Sequence, residues 1–310
     1  MIVGPTGVGK TKTALSLAQK FGGEIVSADS RQIYKGMDIG TGKEVKELKA
    51  FKAEKLSGSW VVEGVKIHLY DILDPSQNYS VVAFQQRAYE IIHSLQQENK
   101  LPILVGGTGL YIQAVVEGLK VPKVPPNLKL RAELEDTPLE ELVNKLIKVD
   151  TTSAKKIDLK NRRRIIRALE VFLQTGQSLV RQQEKFKPDF DILEIGLKSE
   201  REVIYKRVDE QVEKWFDLGF VDEVRELLKK GYSPNLHSMT SIGYRQVVAY
   251  LGEKISLEEA KQRIKFELHN YIRKQLSWFK RDKRIFWFDI TSSDFNRELE
   301  NLVLEWYNQG

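Results

Sequence analysis

The chain has 310 residues, of which 41% are hydrophobic and 30% are charged, and its net charge is +6; these values are typical of a globular protein with a large core. It contains no cysteine, which excludes disulfides, thiolate metal sites and a cysteine nucleophile, and its four scattered histidines include no H-x-x-x-H pair, which argues against a zinc site. No apolar run reaches the roughly 18–20 residues that span a membrane and no export signal opens the chain, so we expect a cytoplasmic protein without a membrane partner.

The first motif is a glycine-rich loop, Gly4–Thr11, that fits G-x-x-x-x-G-K-[ST] at every position. It follows the apolar residues Met1–Val3 and precedes a helical pattern, which is the context that the motif requires. Small residues let backbone N–H groups point inward, the next helix adds its positive end, and Lys10 adds a mobile cation. The motif therefore predicts a site for a di- or triphosphate; the alternative is a turn that binds nothing. The predicted phosphate-binding residues are Gly4, Pro5, Thr6, Gly7, Val8, Gly9, Lys10 and Thr11.

Within this loop, the Thr11 hydroxyl is the predicted ligand of Mg²⁺. Only three residues precede Gly4, whereas an average strand has about five, which leaves open whether native residues precede Met1.

A second strand is predicted at Glu24–Ser27, followed by a polar segment at 28–42. In a parallel α/β sheet, the loops that follow the strands line the ligand crevice. We therefore expect Asp29 and Ser30 to lie near the glycine-rich loop. The alternative is that Asp29 simply caps a helix.

The next segments predict an edge of the sheet. The lysine-rich segment Lys43–Lys55 predicts little regular structure, while Trp60–Val62 and Val65–Leu69 predict a hairpin with a glycine turn. Ser80 is predicted to cap a helix that ends near Glu98.

A buried strand is predicted at Leu101–Val105, and it ends in Gly106-Gly107-Thr108 before a helix at Leu110–Val116. A P-loop kinase or hydrolase usually has an Asp at the end of such a strand to hold Mg²⁺. The glycine-rich loop is therefore predicted to serve a diphosphate leaving group rather than a transferred phosphoryl group.

The composition changes near residue 118. Residues 120–126 hold three prolines and two lysines, which is typical of a linker. Only helical patterns follow, at Leu128–Glu135, from Thr137 onward, and at Asn161–Gln174.

Strand character returns at Asp191–Leu197. We therefore predict an α/β fold, with a P-loop NTPase-like parallel sheet core formed by residues 1–117 and 191–310. Residues 118–190 are predicted to form an inserted all-helical domain.

Two capping boxes, Ser199–Glu202 and Ser256–Glu259, predict the starts of long helices in the C-terminal part of the chain. A helix at Val221–Lys230 is predicted between them, and the last predicted strand is Ile285–Phe288.

Positive charge is clustered twice, at Lys160–Arg167 and at Arg273–Arg284, and the loop Thr240–Arg245 adds hydroxyls and an arginine. Cations at a helix start are unfavourable without an anion, so the first cluster suggests a bound anion. Each cluster alone is compatible with a solvated face, but together with the phosphate motif they favour a polyanion, most simply nucleic acid.

With these segments the chain resembles the bacterial tRNA dimethylallyltransferases, also called tRNA isopentenyltransferases. The resemblance is carried by the glycine-rich loop, by Ser-Ala-Asp-Ser-Arg-Gln-Ile-Tyr-Lys-Gly-Met-Asp-Ile-Gly-Thr at 27–41, and by four shorter segments. The shorter segments are 106–111, 161–171, 242–246 and 273–279.

The resemblance implies transfer of a dimethylallyl group from dimethylallyl diphosphate to N6 of the adenosine next to the anticodon on its 3′ side, with Mg²⁺. It implies that Asp29 is the general base and that Thr6 and Arg225 help to hold the diphosphate. It also implies contacts with the tRNA anticodon stem-loop, some of them in the inserted domain. These contacts fall on Asp29, Ser30, Arg31, Gln32, Thr108, Lys129, Arg163, Arg164, Ile165, Ile166, Arg167, Thr240, Ser241, Ile242, Gly243, Tyr244, Arg245, Arg273, Lys274, Gln275, Leu276, Ser277, Trp278, Phe279 and Lys280.

Three alternatives stay open at this point, and we expect a monomer in each case. The first is a P-loop kinase of a small molecule, against which the missing strand-end Asp argues. The second is a prenyltransferase that acts on free adenine nucleotides, against which the basic insertion argues. The third is an RNA-binding module without catalysis, against which Asp29 and the segment 27–41 argue.

Overall fold

The computed structural model describes residues 1–43, 52–120, 122, 124–182 and 186–309. Contacts divide the chain into two compact units, Met1–Ile112 with Phe190–Gly310, and Gln113–Asp189. No helix in the described ranges is long and apolar enough to cross a membrane. Residues 44–51 of the lysine-rich segment lie outside the described residues.

The first unit is built on a sheet with the strand order β3-β4-β5-β2-β6-β1-β7-β8. Its strands are β1 (Ile2–Val3), β2 (Gly23–Ser27), β3 (Ala53–Leu56), β4 (Ser59–Val62), β5 (Val65–His68), β6 (Leu101–Gly106), β7 (Ile195–Lys198) and β8 (Phe286–Asp289). The pairs from β5 to β8 are parallel, whereas β3, β4 and β5 pair antiparallel. The predicted α/β fold with a mainly parallel sheet is confirmed, as is the hairpin formed by β4 and β5.

Register at the centre of the sheet decides where the loops meet. Val3 at the end of β1 pairs with Gly106 at the end of β6, and Ser27 at the end of β2 pairs with Val105. The three strands are largely buried, which explains their apolar runs. Because they are parallel and in step, the residues that follow them lie at one edge of the sheet.

Helices cover the sheet of the first unit, and each helix buries an apolar stripe. They are α1 (Lys10–Phe21), α2 (Val81–Gln97), α9 (Arg201–Asp217), α10 (Phe220–Lys229), α11 (Tyr244–Leu251), α12 (Leu257–Phe279) and α13 (Phe295–Tyr307), while α3 (Gly109–Val116) spans the boundary of the two units. The Ser80 hydroxyl accepts from the Ala83 N–H at 3.1 Å and so caps α2, as predicted.

The second unit is helical in its described residues. It contains α4 (Leu128–Glu135), α5 (Leu139–Val149), α6 (Thr151–Lys156), α7 (Arg162–Thr175) and α8 (Leu179–Gln182). Its own core is formed by aliphatic side chains, among them Leu142, Leu146, Ile165 and Leu169, all at most 1% exposed.

Four local predictions need correction. Ala53–Leu56 is an edge strand, which the sequence hides because its side chains are mostly exposed and show no apolar alternation. Strand β7 begins at Ile195 rather than at Asp191. The capping box predicted at Ser199–Glu202 is not formed, because the N-cap of α9 is Glu200. The Ser199 hydroxyl has no partner among the described atoms. Helices α6, α8, α11 and α13 were not predicted, since three are short and the fourth lies in a polar C-terminal segment.

Candidate active site

The glycine-rich loop leaves β1 at the centre of the sheet and curls before α1. Gly4, Gly7 and Gly9 have φ of +146°, +81° and +95°, backbone angles that residues other than glycine adopt only at a cost in free energy. A Cβ atom on Gly4 would lie 2.5 Å from the Leu197 carbonyl oxygen. The N-cap of α1 is Gly9, which has no side chain to satisfy the first N–H groups of the helix. The loop thus has the shape and the polarity of an anion site.

Lys10 is folded back into this loop. Its Nζ donates to the Pro5 carbonyl oxygen at 2.8 Å. Burial lowers the pKa of Lys10 to about 8, and the charge of Asp29 acts in the opposite direction. A Cβ on Gly107, after β6, would lie 3.8 Å from the Lys10 Nζ. The structure therefore brings together the residues that follow β1, β2 and β6.

Asp29 follows β2 in a turn, and no helix begins there. Its Oδ1 accepts from the Arg31 N–H at 2.8 Å, and the neighbouring Ser30 N–H donates to the Thr108 hydroxyl at 3.1 Å. The alternative role of Asp29 as a helix cap is therefore wrong. The carboxylate is half-buried, and no donor from the described part of the chain reaches its second oxygen, which leaves that oxygen available to a ligand.

The segment after Asp29 is held by Glu223 on α10, which the sequence analysis did not single out. The Glu223 carboxylate accepts from the N–H groups of Asp38, Ile39 and Gly40 at 3.0, 2.8 and 3.4 Å, and from the Tyr244 hydroxyl at 2.6 Å. Burial raises the pKa of Glu223. No local pattern marks this residue, because its backbone partners are 183 to 185 positions away in the chain.

A second support is the buried Lys43. Its Nζ donates to the Tyr34 carbonyl oxygen at 2.8 Å and to the carboxylates of Asp38 and Asp71 at 2.8 and 2.6 Å. The second carboxylate oxygen of Asp71 accepts a hydrogen bond from the Trp60 indole N–H at 2.7 Å. A buried ammonium between two carboxylates is costly unless all partners are satisfied, as they are here. This network was also missed, since Lys43 lies in a segment that looks solvated.

Arg225, the predicted diphosphate ligand on α10, has an ion pair with Asp222 on the same helix, and its side chain is 44% exposed. Its predicted role at the diphosphate stays a prediction. Thr6 and Thr11 are half-buried in or beside the loop, and the Thr6 N–H donates to the Gln275 Oε1 at 2.9 Å.

Two arginines of the predicted RNA set are neighbours in the first unit. Arg31 donates to the His237 carbonyl oxygen at 2.7 Å, and Arg245 donates to the Thr240 carbonyl oxygen at 2.8 Å and pairs with Glu267. Burial and then the charge of Arg31 lower the pKa of Arg245. Two cations held this close favour an anion beside them.

The remaining predicted RNA residues of the first unit divide by exposure. Exposed side chains are those of Thr240, Arg273, Lys274, Ser277 and Lys280, and half-buried ones are Gln32, Ile242 and Trp278. The side chains of the others are buried, so an RNA contact there would use the backbone, and their assignment stays a prediction. They are Ser241, Tyr244, Gln275, Leu276 and Phe279, together with the buried Gly243.

In the second unit, part of the cationic cluster is neutralised internally. Arg162 pairs with Glu135 and donates to carbonyl oxygens at the end of α4. Arg167 pairs with Glu170 at 2.5 Å. The expected bound anion is therefore not needed to explain these two cations.

The rest of the predicted RNA set in this unit also divides by exposure. Ile165 and Ile166 are 0% and 4% exposed and belong to the core, so their side chains are unsuited to RNA. Arg163, Arg164 and Lys129 are exposed.

The described residues contain no group of three His, Asp or Glu side chains that could hold a metal ion. A single protein ligand, the Thr11 hydroxyl, still fits Mg²⁺, because Mg²⁺ commonly keeps several waters and binds through substrate phosphates with few protein ligands.

Comparison with known proteins gives one family. Residues 32–282 match the family model described as IPP transferase. The chain is 44% identical to the tRNA dimethylallyltransferase of Thermomicrobium roseum, over 97% of this chain and 89% of that protein. It is 41% identical to the tRNA dimethylallyltransferase of Geobacter sulfurreducens, over 93% of this chain and 91% of that protein.

Solved structures give the same result. The full-length tRNA isopentenylpyrophosphate transferase of Bacillus halodurans superposes with a TM-score of 0.70 at 36% identity, over 98% of this chain and 94% of that one. A eukaryotic dimethylallyltransferase acting on tRNA superposes with a TM-score of 0.78 at 26% identity, over 97% of this chain and 76% of that one. The P-loop NTPase-like fold expected for the core is the fold of these neighbours.

Proposed function

The chain belongs to the IPP transferase family, and on that premise we propose a donor, an acceptor and a division of labour among its residues. The enzyme transfers a dimethylallyl group to tRNA, as its relatives do. The proposed donor is dimethylallyl diphosphate, and the proposed acceptor is N6 of the adenosine on the 3′ side of the anticodon.

The donor diphosphate lies in the glycine-rich loop. Backbone N–H groups of the loop, the Lys10 ammonium and the Arg225 guanidinium stabilise the charge that develops on the leaving group. The Thr6 hydroxyl assists them, and the Thr11 hydroxyl would hold Mg²⁺, which when bound would add positive charge beside the diphosphate. The bond between the prenyl C1 and the diphosphate oxygen breaks, and the electron pair leaves with the diphosphate.

The acceptor is an adenine extruded from the anticodon loop, because a stacked base cannot present its N6 to the donor. N6 attacks C1 of the prenyl group, and Asp29 takes the proton that N6 loses. The Asp29 turn is tied to Thr108 through Ser30, which holds the carboxylate in a fixed direction. Positioning of donor and acceptor supplies a large part of the rate.

The tRNA backbone is bound by exposed cations. In the first unit these are Arg31 and Arg245 beside the Asp29 turn, and Arg273, Lys274 and Lys280 on α12. In the second unit they are Arg163 and Arg164 at the start of α7, with Lys129 on α4. A tRNA substrate is also the reason to place the enzyme in the cytoplasm, and we propose that it acts there as a monomer.

One observation carries this proposal: the loop after β6 lies beside both Lys10 of the phosphate loop, at Gly107, and the Asp29 turn, at Thr108, and the charge of Asp29 acts on Lys10. A cation for the leaving group and a base for the amine then share one edge of the sheet. The proposal is tested by incubating the protein with labelled dimethylallyl diphosphate and undermodified tRNA, with ATP and AMP as competing acceptors. We expect label in tRNA, on N6 of a single adenosine. Label in AMP or ATP would favour a nucleotide prenyltransferase, and transfer of phosphate from ATP would favour a kinase.

A further inference from the structure

The two faces of helix α12 differ in exposure and in the residues that they contact. Arg273, Lys274, Ser277 and Lys280 lie on the exposed face. Gln275 is buried on the opposite face, and its side chain amide reaches two loops of the active site. Its Oε1 accepts from the Thr6 N–H at 2.9 Å, and its Nε2 donates to the Gly107 carbonyl oxygen at 3.0 Å.

The contact at Gly107 is close. A Cβ atom at this position would lie 2.2 Å from the Gln275 Nε2, so only glycine permits this approach. A neutral amide suits the position, because one end must accept a hydrogen bond and the other end must donate one. The two ends of Gln275 thus join the loop after β1 to the loop after β6.

The loop after β6 also reaches the turn that carries Asp29. Thr108 follows Gly107 directly, and its hydroxyl accepts from the Ser30 N–H at 3.1 Å. Ser30 is the neighbour of Asp29 in the chain.

These contacts form one continuous path within the first unit. The path runs through Thr6, Gln275, Gly107, Thr108 and Ser30. We propose that Gln275 is a positioning residue that fixes the distance between the loop holding the donor diphosphate and the carboxylate of Asp29. The inference rests on the proposed function, and it assigns to the inner face of α12 a role that is separate from RNA contact on its outer face.

The physical reason is the geometry of an alkyl transfer. The attacking N6, the prenyl C1 and the leaving oxygen must lie in line, and a misplacement of about 1 Å costs on the order of 100-fold in rate. The donor loop and the Asp29 turn are separate segments that follow different strands. A hydrogen-bonded bridge between them, anchored on a long helix, removes the freedom that would let them drift apart.

The test is Gln275→Met, which keeps the length of the side chain and removes both hydrogen bonds. We expect the single-turnover rate of transfer to fall about 5- to 20-fold, as for loss of a buried hydrogen bond at a reacting site. The affinities for tRNA and for dimethylallyl diphosphate should stay within about twofold of wild type, because no binding contact is removed. The matched control is Gln262→Met, which replaces an exposed glutamine of the same helix that donates to Glu258 at 2.8 Å, and it should transfer at the wild-type rate.

A double-mutant cycle separates this role from general packing. If Gln275 acts through the loop that holds Thr108, then Gln275→Met should have little further effect in a Thr108→Val background. A second variant, Gln275→Glu, keeps the shape of the side chain but cannot donate to Gly107, and it should also lower the rate with affinities preserved. This variant tests the same role if Gln275→Met does not fold.

Three results would overturn the inference: a wild-type rate for Gln275→Met, an equal loss in the Gln262→Met control, or additive effects in the cycle. A wild-type protein that transfers nothing to tRNA would instead refute the proposed function. The two failures are therefore distinguishable in one set of assays.

Discussion

Lys10 and Asp29 lie close enough that the carboxylate raises the pKa of the ammonium, while burial, the larger effect, lowers it to about 8. The two residues follow different strands, β1 and β2, and meet because both strands pair with β6. The group that neutralises a leaving diphosphate and the group that accepts a proton are thus electrostatically linked.

The first prediction concerns the pH dependence of donor binding. Lys10 binds diphosphate as a cation, and its pKa is depressed in the folded protein, so donor affinity should fall as the pH rises through about 8. In Asp29→Asn the carboxylate no longer raises this pKa, and the decline should move to lower pH. Calorimetric titration of dimethylallyl diphosphate with Mg²⁺ and without tRNA measures both curves. Superimposable curves for the two proteins would show that the residues are not linked.

The second prediction concerns Glu223, which holds three backbone N–H groups of the segment after Asp29. Glu223→Gln replaces one of the two carboxylate oxygens by N–H₂, so some of these donors lose their acceptor, which should lower the free energy of unfolding by about 1–3 kcal/mol. Transfer should slow as well, because the segment is no longer fixed. Urea unfolding and single-turnover assays measure these effects.

The control for this prediction is Glu226→Gln on the same helix, where the carboxylate is exposed and pairs with Lys229. It should change the free energy of unfolding little, as surface pairs do. A Glu223→Gln protein as stable and as fast as this control would contradict the role of Glu223.

The third prediction concerns the second unit. Glu170 is fully buried and accepts from the Asn127 N–H at 2.8 Å, from Arg131 and from Arg167. Burial acts to raise the pKa of Glu170, but the hydrogen bonds from Arg131, Arg167 and the Asn127 N–H outweigh it and lower the pKa below its ordinary value. A lowered carboxyl pKa means that the stabilisation is present above the pKa of the unfolded chain and is lost as the pH falls through the folded value.

We therefore expect Glu170→Ala to destabilise this unit by roughly 3–5 kcal/mol, since two cations lose their partner. The effect should vanish in acid, where the wild-type carboxylate is protonated too. Thermal unfolding at neutral and acidic pH measures it, with the exposed Glu140→Ala as the control. Equal melting of both variants at neutral pH would mean that the ion cluster is dispensable.

The fourth prediction concerns RNA binding by the second unit. Arg163→Glu at the exposed start of α7 should weaken tRNA binding and reduce the salt slope of the binding constant by about 1. Arg87→Glu makes the same change of charge at an exposed position on α2, where the arginine pairs with Glu90, and it should bind as wild type does. Filter binding over a salt series compares them. Unchanged affinity for Arg163→Glu would place the RNA elsewhere.

Local patterns predict much of the fold. The apolar runs of β2 and β6, the Ser80 cap and the glycine-rich loop are short-range signals, and each one is found where the sequence indicated. The strand at Ala53–Leu56 escapes such patterns, because an exposed edge strand does not need an apolar face.

The supports of the site are harder to predict than its motifs. Glu223 and Gln275 lie in amphipathic helices. In the sequence, Glu223 looks like an ordinary solvated position and Gln275 like an ordinary buried one. What they do depends on backbone partners between 168 and 269 residues away, which only the folded chain reveals. Burial likewise separates Ile165 from the exposed Arg163, although both lie in one matching segment.

The most direct test of the account is the fate of transfer when Asp29 is replaced by Ala. Single-turnover transfer of labelled dimethylallyl from its diphosphate to undermodified tRNA should be abolished, while tRNA affinity stays near that of wild type, because the base is lost and the cationic surface is intact. Near-normal transfer by Asp29→Ala would contradict the central claim that this carboxylate takes the proton from the attacking amine.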